Sequence, residues 1–174
     1  MGILSTILAA AVLATAPDAP SAPATTTGPV DFVAPDGSFS ARFPAEPTMA
    51  DGAWASRVED RECAVLPMPM ERDADKATSD MILNMMLAQL ETMALEPGWG
   101  GRVSMDSDDY AGKPARGFVM KSGPSIDEHK ISKGRLVRTD THLLMIFCDS
   151  PKDTYDEAAV TAFVDSLRLP PAKQ

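Results

Sequence analysis

Few side chains in this sequence could do chemistry, and they are scattered. Two cysteines, Cys63 and Cys148, fall in separate apolar runs. They are nothing like a Cys-x-x-Cys redox pair, which leaves two readings: a structural disulfide, or two buried thiols packed as small apolar side chains. A bridge would join an early strand region to a late hairpin, and closing so long a loop would stabilise the fold by roughly 3 to 5 kcal/mol. The histidines, His129 and His142, both lie in that late stretch. With a turn at Thr139 and Asp140, His142 pairs near Val137 and His129 sits at the far end of its strand. That separation opposes a shared metal ion. A Cys148–His nucleophile pair has no local signature, and an oxidised cysteine would be inert.

Methionine is abundant, with 11 residues. Thioether sulfur is a soft ligand suited to Cu(I), so Met81, Met85 and Met86, with Met68 and Met70 nearby in sequence, are the metal candidates. Met81 and Met85 also fall at helical spacing, where methionine fills irregular space in a core, and this is the favoured reading. The same face could instead line an adaptable groove for an apolar ligand or peptide. Asp106, Asp108 and Asp109 lack the glycine and later glutamate of a calcium loop and read as solvated charges at a strand end. No GxSxG, Walker glycine loop, HExxH or dinucleotide fingerprint occurs. No catalytic residue, cofactor or resident metal is therefore assigned.

The elements that must position these residues follow from period and punctuation. Val30 to Ala34 and Ser38 to Phe43 alternate as two strands around a turn at Pro35, Asp36 and Gly37, and Pro44 and Pro47 end that ladder. Trp54 to Leu66 reads as one strand or a hairpin, stopped by Met68, Pro69 and Met70. From Asp75 to Leu95, apolar residues at Met81, Ile82, Met85, Met86, Leu90 and Met93 recur every three to four positions, and Leu83 and Leu87 widen the face. This is a helix expected to be buried on more than one side, closed by Pro97 and Gly98. Gly101 to Asp108 and Lys113 to Lys121 read as strands. GRLVR and HLLMIFC form a hairpin across Thr139, Asp140 and Thr141. Ser150, Pro151 and Asp153 resemble a helix start, with a run to Leu167 whose stripe is Tyr155, Ala159, Ala162, Phe163 and Leu167.

The succession from DGSFSARFPAEPT through the central helix and KPARGF to the hairpin and terminal FVDSLRL resembles secreted members of the PsbP-like superfamily, over roughly Val30 to Leu169. The resemblance implies an α+β fold, an antiparallel β-sheet covered by helices in an α/β/α sandwich. It carries no shared chemistry and assigns no site.

Composition and the N-terminal segment bound location and partners. With 174 residues, 44% hydrophobic and 24% charged, one domain over 30–169 is expected, followed by a short tail at 170–174. The net charge of -9 and the lack of a basic stripe argue against nucleic acid as partner. Ile3 to Ala16 is apolar and uncharged, too short to span a bilayer but suited to the hydrophobic region of a secretory signal. Residues 1–24 are read as a signal peptide, although Met1 and Gly2 bring no basic residue, and 25–29 as the remainder of a Pro/Ala/Thr-rich linker. The expected protein is thus periplasmic or secreted and not inserted in a membrane once the signal is removed. It is non-enzymatic and binds an unknown protein or apolar ligand. A copper-binding protein and a hydrolase without a recognisable motif are the alternatives.

Overall fold

The computed structural model describes residues 28–70, 75–95, 103–122 and 130–171. Nine strands and two helices follow in order: β1 (Val30–Val33), β2 (Ser40–Phe43), β3 (Thr48–Ala50), β4 (Ala53–Val58), β5 (Arg61–Pro69), α1 (Lys76–Leu95), β6 (Val103–Tyr110), β7 (Lys113–Ser122), β8 (Lys130–Arg138), β9 (His142–Pro151) and α2 (Glu157–Val164). Seven strands form one antiparallel sheet in the order β3-β4-β5-β9-β8-β7-β6, while β1 and β2 pair separately. The sheet is two meanders, β3–β5 and β6–β9, joined at the β5–β9 seam. Between β3 and β4, Asp51 and Gly52 both take positive φ, 50° and 82°, as a two-residue hairpin turn demands.

Side-chain alternation divides the core between the two faces of the sheet. On one face Leu83 and Leu87 of α1 pack with Phe118, Leu136 and Leu143. On the other, Val160, Phe163 and Val164 of α2 and Phe39, Ala41 and Phe43 of the first hairpin pack over Val65, Val137, Leu144 and Ile146. The α+β, α/β/α arrangement expected from the sequence is what the chain adopts, with the β1–β2 hairpin sharing the second layer with α2. Gly134 on β8 sits between Phe118 on β7 and Phe147 on β9. A Cβ there would lie 2.6 Å from the Phe118 ring and 2.6 Å from Phe147 Cβ, so only glycine admits the ring.

Four local expectations are corrected. The terminal helix does not start at Ser150, which is 1% exposed within β9; a 3-10 turn at Lys152–Thr154 intervenes, and the Asp156 carboxylate caps α2 by accepting from Ala159 N at 3.0 Å. β9 stays paired with β8 as far as Pro151, and this pairing overrides the serine-proline start signal. The α2 stripe is Val160, Phe163, Val164 and Leu167, the last beyond the helix, with Ala162 exposed. Strand β5 is not stopped at Met68 but runs to Pro69. Beyond Val65 it has β9 on one side and no paired β4 residue on the other, and an unpaired side tolerates the missing N–H of Pro67 and Pro69. Finally, α1 is buried on one side only, along Ser79, Leu83 and Leu87.

Candidate functional site

The placement of α1 determines which part of the sheet stays open. Asp75 caps the helix by accepting from Thr78 N at 2.7 Å, a bond that holds its carboxyl below the ordinary range. One turn further, Arg116 on β7 reaches Asp80 at 2.9 Å and Asn84 at 3.3 Å. These ties and the Leu83–Leu87 ridge set α1 over β7, with β8 and β6 beside it. Strands β5 and β9 carry the same face outward past the helix.

There the sheet presents Met68 from β5 and Met145 and Phe147 from β9, all partly buried against the α1 core. The helix contributes Ile82, Met86 and Leu90, and Met70 follows β5, anchored by its N–H donating to Thr141 O at 2.8 Å. Four of these seven half-covered side chains are methionines. Unbranched thioethers can repack around apolar partners of different shape and demand no hydrogen bond in return. Next to them on the helix, Met81 and Met85 are 56% and 64% exposed. Their expected place in the core is thereby corrected: the buried stripe is rotated toward Leu83 and Leu87, which pack with Phe118, Leu136 and Leu143. Met86 alone of the three metal candidates packs against the sheet.

The cysteines lie on the opposite face. Cys63 and Cys148 are direct cross-strand neighbours at the β5–β9 seam and form a disulfide with a Cα–Cα distance of 4.0 Å, 1% and 0% exposed. The open question between bridge and free thiols is resolved in favour of the bridge.

His142 is not opposite Val137, which pairs with Leu144; it closes the turn instead, accepting from Thr139 N at 2.8 Å and standing opposite Pro69. The turn is centred one residue later than that pairing assumed, on Asp140 and Thr141, which shifts the register by two. Its ring contacts Thr141 Oγ1 through Nδ1 at 2.9 Å, and Nε2 lies 3.6 Å from Asp36. Asp36 is itself held below the usual carboxylate range, chiefly by the Ser38 hydroxyl and then by Ser38 N–H, with a smaller contribution from the His142 charge. The imidazole thus ties the first hairpin to the β8–β9 turn. Six residues of extended strand, about 20 Å, separate it from Cys148. His129 lies outside the described residues, and so do the side chains of Asp106 and Asp108; Asp109 is exposed. Among the described residues no three His, Cys, Asp or Glu side chains converge as a metal set.

The sequence pattern did not reveal Met145 and Phe147 as part of an open face. HLLMIFC is apolar at every position after His142, which marks a strand covered on both sides. Only the sideways position of α1 uncovers one of them.

No protein-family model and no curated protein matches the chain. Among solved structures, the solution structure of cyanobacterial PsbP (CyanoP) from Synechocystis sp. PCC 6803 superposes with a TM-score of 0.60 at 8% identity, covering 83% of this chain and 94% of that one. The crystal structure of the Ran-binding protein Mog1p from Saccharomyces cerevisiae gives a TM-score of 0.50 at 12% identity, covering 83% and 96%. At such identities the likeness speaks to architecture, and the layers, the sheet and the two helices agree with it: this chain has the PsbP-like fold.

Proposed function

We propose that the protein is an exported, non-enzymatic binding module that receives a basic amphipathic segment of a partner protein on its methionine-rich face. The observation that carries this reading is the group Met68, Met70, Met86 and Met145, half-covered and contiguous with the core beside α1. The net charge of -9 favours a segment whose polar side is basic. One protein of the same fold, Mog1p, is described as Ran-binding, so the architecture is compatible with docking a protein. A buried disulfide between strands remote in sequence supports an oxidising compartment such as the periplasm or the extracellular space. Among the described residues no helix is long and apolar enough to cross a membrane.

The test follows the methionine ε-methyl NMR signals while a Leu/Lys amphipathic model helix is added. Signals of Met68, Met70, Met86 and Met145 should move together and saturate, and Met145→Glu should abolish the response while circular dichroism stays unchanged. Saturation without those four signals moving would refute the reading. A stoichiometric response to Cu(I) confined to Met81, Met85 and Met86, lost when all three are leucine, would replace it with soft-metal binding.

A further inference from the structure

The opposite face carries a second opening that the methionine surface does not touch. A cleft of about 240 Å³ lies between the first hairpin, α2 and the start of β5. Cys63, Phe163, Ala159 and Ala162 line it with apolar surface, and Pro29 and Pro44, together at the open end of the hairpin, bound it. Its room comes from α2: the helix turns Val160, Phe163 and Val164 inward and leaves only alanine methyls at 159 and 162. Two cations, Arg42 and Arg61, complete the lining. Arg42 meets Asp31 only at 3.9 Å, with both side chains well exposed, and Arg61 has no ion pair among the described residues. In a chain of net charge -9, two weakly compensated guanidinium groups at one apolar cleft run against the general field.

From this geometry we infer that the cleft binds a small amphiphilic carboxylate. Its hydrocarbon tail lies on Phe163 and the two alanines, and its carboxylate is held by Arg42 and Arg61. A guanidinium presents a planar fork that matches a carboxylate and is weakly hydrated, so it engages such a head at low desolvation cost. A water molecule takes about 30 Å³ in the liquid, so the volume equals roughly eight waters and suits a tail of about eight carbons.

Octanoate, octanol and octylamine, titrated into the oxidised protein by calorimetry, test the inference. Octanoate should bind one to one, at least about tenfold more tightly than the other two, as one charge-assisted hydrogen bond provides. Arg61→Gln should weaken octanoate about tenfold and leave octanol unchanged. Ala162→Leu, a substitution at an exposed helical position that fills the cleft, should abolish octanoate binding with the melting temperature intact. Met86→Glu on the other face should leave it unchanged, which separates this site from the one proposed above. Octanoate binding that survives Ala162→Leu, that is lost in Met86→Glu, or that octanol equals in the parent protein would overturn the assignment, and so would the absence of saturable binding.

Discussion

The disulfide offers the sharpest quantitative test of the fold. Cys63 and Cys148 are separated by 85 residues, and a loop of that size removes about 4.6 kcal/mol of chain entropy from the unfolded state at 25 °C. Because both residues are already direct partners in the β5–β9 register, their removal need not disturb the backbone pairing. The Cys63→Ala/Cys148→Ala variant should therefore fold to the same circular dichroism spectrum and lose about 4 to 5 kcal/mol in urea unfolding. For a domain of this size that loss lowers the melting temperature by about 9 to 18 °C. The mechanism makes a second demand. A chain freed of the cross-link expands further when unfolded, so the urea dependence of the variant should steepen. Protein reduced while unfolded and refolded under reductant should follow the same curve, since it keeps both sulfur atoms and isolates the loop entropy from the loss of packing. A deficit below about 1.5 kcal/mol, or an unchanged slope, would show that the bridge does not act by constraining the unfolded chain.

Three further outcomes are expected. Gly134→Ala should cost at least about 3 kcal/mol in chemical unfolding, because its methyl group collides with Phe118, Phe147 and the Ile146 carbonyl; a near-neutral result would contradict the described ring placement. Leu83→Ala should lose about 2 to 5 kcal/mol, while Met85→Ala should stay within about 0.5 kcal/mol, and the reverse order would mean that α1 presents its other face to the sheet. Asp149 is raised above its ordinary range, first by burial. The stability tied to its proton is present below the unfolded carboxylate range and is lost as pH rises through the folded value. Asp149→Asn should consequently be more stable than the parent near neutral pH, with the difference closing in acid; a variant less stable at neutral pH would contradict the sign.

Strands and helices were legible wherever one local signal dominated. Alternation marked β1 and β2, the Thr139–Thr141 gap marked the last hairpin, and the spacing from Asp75 onward marked α1 within a residue of its start. What failed was orientation. The α1 sequence carries methionine or leucine on most sides, so its pattern could not choose between a stripe through Met81 and Met85 and one through Leu83 and Leu87. The choice came from Phe118, Leu136 and Leu143, which pack with Leu83 and Leu87 from strands far away in sequence. The cysteine bridge was undecided for the same reason: β5 and β9 become neighbours only when two meanders meet, and no local feature announces that encounter. The open methionine face depends on how far α1 lies to one side of the sheet, and the arginine-bearing cleft on which side chains α2 turns outward. Both are properties of packing between remote segments.

One further consequence comes from the bridge between Ser40 and Arg168. Ser40 N donates to Arg168 O at 2.9 Å and Arg168 N returns the bond to Ser40 O at 2.7 Å. The first hairpin is thereby stitched to the segment after α2, which runs antiparallel to β2. The chain's order of synthesis is then separable from its architecture. A circular permutant that joins residue 171 to residue 28 through a linker of about ten residues, enough to run back along the first hairpin, and opens new ends at Asp140 would keep both layers and every strand neighbour. In that rearranged chain β9 would come first and β8 last, meeting across the opened turn.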